Sequence, residues 1–147
     1  MSLGRSKPTV GIDRSKPFNP DDYPRDPSAY RATTHFGQRF REDERFLTDE
    51  VIRKAITEGE LRNNGDGCGC FVQPWGSGVK YYLLVGHHLS GYRIAVTAWP
   101  YVHDRRKAMN CPLWSTKQID VIERFNNEAK SRRDTLRSYT NWLKQHD

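Results

Sequence analysis

No stretch of this 147-residue chain approaches the roughly 18 consecutive apolar residues that a membrane-spanning helix needs. No apolar run follows the first Arg and Lys either, so neither membrane contact nor a secretory leader is expected. Cysteine is sparse, three residues in all, which excludes a disulfide-built scaffold. The expected location is cytoplasmic, with reduced thiols. Apolar residues make up 35% and charged residues 29%, so part of the chain is expected outside the core. Signatures of nucleophilic, redox and phosphate-loop chemistry are also missing. There is no G-x-S-x-G elbow, no C-x-x-C pair, and no glycine-rich loop leading through Lys into a helix.

What the chain does have is positive charge and rings. Its formal net charge is +6 and its pI about 9.4, which favours an anionic partner, either nucleic acid or an acidic protein. Aromatic residues at 12% argue that much of the chain folds, and its length suits one domain.

Composition divides it into three parts. Residues 1–30 hold most of the eight prolines and the string RSKP twice, at Arg5–Pro8 and Arg14–Pro17. Each copy sets two cations before a ring that blocks helix, so an extended arm is expected. Residues 31–103 form the expected core. Phe36, Phe40 and Phe46 mark a first helix. Thr48 caps a second, with Val51, Ile52, Ala55 and Ile56 at helical spacing and Gly59 as its stop. From Glu60 the period becomes two, and four strands follow as an antiparallel meander. Tyr81, Leu83 and Val85, with Tyr92, Ile94, Val96 and Ala98, are expected to face the helices. Residues 104–147 begin with the basic loop HDRRKAMN. Ser115 then caps a long amphipathic helix carrying Arg132 and Arg133. The fold expected is α+β, a helical hairpin on a four-stranded antiparallel sheet, with an extended N-terminal arm and a long C-terminal helix.

The stretch NNGDGCGCF, residues 63–71, is the sharpest metal candidate. Cys68, Cys70 and Cys111 with His87, His88 or His103 would give three sulfurs and a nitrogen for zinc. A one-residue gap between ligands strains the bite, and no second close pair exists. The stretch therefore reads as a β-turn followed by small residues entering a strand, and neither metal nor cofactor is expected.

Alternation puts Lys80, Tyr82, Arg93, Thr97 and Trp99 on the sheet face away from the helices. Cations that meet phosphates and rings that stack on bases make such a face suited to nucleic acid. Arg105, Arg106, Lys107, Arg132 and Arg133 extend the same electrostatic expectation. General acid–base cleavage of RNA needs only His, Lys, Tyr and Arg on one surface, and His35, Arg39, Lys80, Tyr82, Arg93 and His103 supply those types.

The order of two helices and a meander, with THFGQRFREDERFLTDEVIRKAITEGEL before the sheet and YRIAVTAWPY ending it, resembles the RelE/ParE-type toxin fold, near a BrnT-like group. The matching features are His35, Arg39 four residues later, Ile52 to Gly59, and Val96, Thr97, Ala98 and Trp99. They cover about residues 33–102. The resemblance implies an RNA- or ribosome-directed protein acting as a metal-independent endoribonuclease, held in check by an antitoxin-like protein. On it His35 and Arg39 would serve acid–base and phosphate-binding roles. Lys80, Tyr82 and Arg93 join the catalytic set by face alone. The alternatives are a non-catalytic RNA- or ribosome-binding protein and a basic module that binds an acidic protein.

Overall fold

The computed structural model describes residues 4–7, 11–42, 45–65 and 67–130. Arg132 and Arg133 lie outside the described residues. The fold is α+β, built on one mixed sheet. Strands β3 (Glu60–Gly65), β4 (Cys68–Pro74), β5 (Val79–His87) and β6 (Arg93–Val102) form the expected antiparallel meander. Two further strands, β1 (Gly4–Lys7) and β2 (Tyr30–Thr33), make the sheet six-stranded in the order β1-β2-β6-β5-β4-β3. Both run parallel to their neighbours, which corrects the expectation of a purely antiparallel four-stranded sheet.

The arm is therefore integrated rather than appended. The first RSKP supplies β1, and Tyr23 and Tyr30 are buried. Asn19 and Asp26 each cap a short proline-led 3-10 turn, so the prolines here fix bends that lead the chain under the sheet. Tyr30 Oη donates to Pro24 O at 2.9 Å, closing a bend within the segment, and Tyr23 Oη donates to Gly67 O at 2.9 Å, tying the segment to the β3–β4 turn.

Helices α1 (Thr34–Phe40) and α2 (Asp49–Glu58) cover one sheet face. Thr48 caps α2 by accepting from Val51 N at 3.2 Å, and its Val51, Ile52, Ala55 and Ile56 are buried as the spacing demands. Gly59 ends α2 with ordinary negative φ. It is needed for space, because a Cβ there would lie 2.4 Å from Ala55 O. Phe46 is not helical as expected. It sits between the helices at φ 50, a left-handed conformation rare for an aromatic residue.

The expected basic loop folds into a short helix, α3 (Arg105–Met109), capped by Asp104. Ser115 and Gln118 form a reciprocal capping box that starts α4, helical over 116–130. Its Ile119 and Ile122 pack with Val79, Tyr81, Ala108 and Trp114, so this half of the C-terminal helix docks on its own sheet.

The margin of β6 beyond β2 is closed by side chains instead of a strand. Thr33 Oγ1 donates to Val96 O at 3.3 Å, and Arg45 Nη1 to Ala98 O at 2.9 Å. Asn126 of α4 donates to Pro100 O at 2.9 Å and accepts from Val102 N at 3.3 Å. Its amide replaces the peptide group of a neighbouring strand.

Candidate nucleic-acid interface

The sheet face opposite the helices is the only one on which β5 can present Lys80, Tyr82 and Leu84, since Tyr81, Leu83 and Val85 are buried beneath the helices. No described helix packs there. Register carries this face across the sheet, aligning Val72, Tyr82 and Trp99 in one row and Cys70, Leu84 and Thr97 in the next. Tyr82 and Trp99 stack with centroids 5.4 Å apart and planes at 17°. Tyr101 stands edge-on to Tyr82 at 5.9 Å and is 39% exposed, while Lys80 Nζ lies 5.5 Å from the Tyr82 centroid. Arg62 of β3 pairs in register with Cys70 and so joins the same face, bound to Glu60 at 3.1 Å.

Arg93 is elsewhere. Leu84 pairs with Thr97, but Val85 pairs with Ala95, so Val96 is an extra residue that forms a β-bulge. Every β6 residue before it changes side. Ala95 is buried in the core in place of Val96, and Arg93 turns toward the covered face, where its Nε donates to Asp22 O. Ile94 and Tyr92 fall on the opposite side of the sheet from the one expected, where Ile94 is still buried at 1% exposure and Tyr92 is half-buried. Tyr92 there lies flat between Arg31, 4.4 Å from its centroid, and the ring of His88, 4.5 Å away with planes at 6°.

The open face thus carries two groupings of rings and cations. They are separated by the stretch of β5 from Tyr82 to His88, about 20 Å at ~3.3 Å per residue. Arg31, Arg62, Tyr92 and Tyr101 were not among the residues expected to meet nucleic acid, and His88 was considered only as a zinc ligand. Register from β3 would have found Arg62, and simple alternation along β6 would have found Tyr101. Alternation along β5 past Leu84 would have found His88, whereas Tyr92 depends on the bulge.

Of the five expected catalytic residues, three have described side chains, and those three are not on one side of the sheet. His35 and Arg39 belong to α1, on the covered side of the sheet, and their side chains lie outside the described residues. Lys80 and Tyr82 lie on the other side, and Arg93 is turned from them. Of the loop cations, Arg105 is engaged by Asp120 at 3.0 Å and by Glu123. Arg106 and Lys107 are exposed on α3.

The cysteines also divide. Cys68 and Cys70 start β4 and point toward the open face, whereas Cys111 packs with the Tyr81–Trp114 cluster on the covered side. Among the described residues no group of three His, Cys, Asp or Glu side chains is placed to hold a metal. Burial pushes the Cys70 thiol up to about 11, while backbone N–H groups of Ser77 and Leu113 lower that of Cys111. Gly65 and Gly67, at φ 84 and 79, flank the turn that leads into Cys68.

Compared with family models, curated proteins and solved structures, the chain matches none of them.

Proposed function

We propose that this protein binds single-stranded nucleic acid, RNA in the first instance, across the open face of its sheet. The observation that carries the reading is the stacked Tyr82–Trp99 pair flanked by Tyr101, Lys80 and Arg62. Partly exposed rings accept bases of any sequence, and neighbouring cations meet the phosphates between them. The Arg31–Tyr92–His88 layer supplies a second position of the same chemistry farther along the strands. Single strands are favoured over duplex because the rings lie in a pleated surface that a base must leave its stack to reach.

The net charge of +6 supports an anionic partner, and the resemblance to RelE/ParE-type toxins supports RNA or the ribosome as its source. Binding without cleavage is the reading favoured, because α1 and Arg93 lie on the side of the sheet away from Lys80 and Tyr82. The test is titration of the full chain into labelled single-stranded RNA, followed by anisotropy at rising salt. Saturable binding that weakens steeply with salt is expected, with the RNA recovered intact in buffer and in EDTA. Absence of binding at low salt would overturn the proposal. Cleavage that persists in EDTA would restore the endoribonuclease.

A further inference from the structure

The two groupings of rings and cations on the open face lie along one strand pair, β5–β6, and each leaves particular surfaces free. At the first, Trp99 gives one face to Tyr82, which is also met by Lys80 and by Tyr101 edge-on. The outer face of half-buried Trp99 is the one left to a base. At the second, Tyr92 is enclosed on both sides, by the Arg31 guanidinium and by the His88 ring. The free surfaces there are the outer faces of that layer. His88 Nδ1 accepts from Ser90 N at 3.0 Å, which holds the ring flat, and Arg31 pairs with no carboxylate among the described residues.

The floor between the groupings offers a base nothing to hold. Leu84, Gly86, Ile94 and Thr97 carry neither an aromatic ring nor a charge. Ile94 is 1% exposed, and a Cβ on Gly86 would meet Cys68 Sγ at 3.2 Å and Ile12 Cγ2 at 3.6 Å, so no slot opens there. The separation of about 20 Å along β5 equals about six steps of a stacked strand, which advances about 3.4 Å per nucleotide. A trinucleotide has only two steps, and each would have to span about 10 Å for it to reach both groupings.

We propose that the two groupings form a bipartite site that holds one single strand at two points, while the nucleotides between them act as a tether whose bases are not read. This rests on the nucleic-acid reading of the open face and adds the length and pattern of strand it takes. The test compares three labelled oligouridine nonamers of equal phosphate number by anisotropy with the full chain. One is complete, one is abasic at positions 4–6, and one keeps bases only at positions 4–6. The first two are expected to bind within about threefold of each other, because the middle bases are idle. The third should bind about tenfold more weakly or worse, since its three bases can fill only one grouping at a time. His88→Ala should bring the complete nonamer down to the level of the third. Equal affinity for the second and third nonamers would overturn the bipartite site and leave single-strand binding standing. So would a second nonamer bound about tenfold more weakly than the first, which would mean that the middle bases are read. If the complete nonamer fails to bind at low salt, the nucleic-acid reading itself falls, and this inference with it.

Discussion

Tyr82 and Trp99 face one another across the β5–β6 ladder as a register pair, their ring planes 17° apart. The stack occupies one face of each ring and leaves the other edge of the pair to solvent, with Tyr101 standing beside it. Trp99→Ala is expected to lower affinity for single-stranded RNA by tenfold or more, since a base–aromatic stack contributes about 1–3 kcal/mol. Anisotropy titration reads this directly. An unchanged melting temperature would separate the loss from unfolding.

Charge should act through salt. Neutralising Lys80 removes one phosphate contact and is expected to reduce the slope of log affinity against log salt by about 1, whereas Arg62→Gln should reduce it by less, because Glu60 already pairs with that guanidinium. Arg105→Gln should leave that slope unchanged, because its guanidinium is committed to Asp120 and Glu123. A comparable drop for all three would move the interface to the α3–α4 side.

His87 predicts an acid-sensitive fold. It is 4% exposed, packs 5.3 Å from the Tyr23 ring, and neither ring nitrogen has a hydrogen-bond partner. Burial, then the Lys16 charge, hold its pKa below the ordinary 6.5, with Asp22 at 3.7 Å and Asp13 opposing and Arg93 adding to the depression. The folded chain then binds fewer protons than the unfolded one, so stability is full above 6.5 and falls as pH drops through that value toward the folded pKa. His87→Leu removes both the titration and the bare nitrogens. Urea midpoints at neutral and mildly acidic pH should converge in that variant, and its stability at neutral pH should equal or exceed the parent by up to about 1 kcal/mol.

The thiols should react in sequence. Cys111 is partly exposed with a lowered pKa, whereas Cys68 and Cys70 are each 4% exposed. Native protein is expected to consume one equivalent of a thiol reagent quickly, with the other two released only by denaturant. Mass mapping of the labelled peptide should find Cys111.

Asn126→Leu keeps the volume near the β6 margin and removes both amide bonds to Pro100 O and Val102 N. A loss of about 1–3 kcal/mol is expected from the stranded backbone groups, measured by chemical denaturation. Asn126→Asp keeps an acceptor for Val102 N but, when ionised, sets a second oxygen against Pro100 O, so it should lose less at acid pH, where the protonated carboxyl can donate to that carbonyl.

The meander and α2 were legible because their signals are local. Gly65 and Gly67 flank the first turn, and Thr48 caps a helix whose apolar spacing needs no partner to be read. The arm was not, because β1 and β2 gain their ladders from distant parallel neighbours and carry no alternation of their own length. The open face was legible as far as Lys80, Tyr82 and Trp99. Alternation continues unbroken in the letters through Val96, and only pairing with β5 shows that the chain there takes one residue more than its partner.

That bulge makes β6 unequal in its tolerance of length changes. Replacing Val96 by another β-former leaves the count intact, and deleting it would take out only the residue that has no partner, so Arg93 would stay bound to Asp22 O and Ala95 would stay in the core. Adding a residue between Ala95 and Thr97 would instead exchange the two sides for everything upstream. In descendants of this chain, a β6 shortened by one residue at Val96 should therefore be tolerated better than one lengthened there.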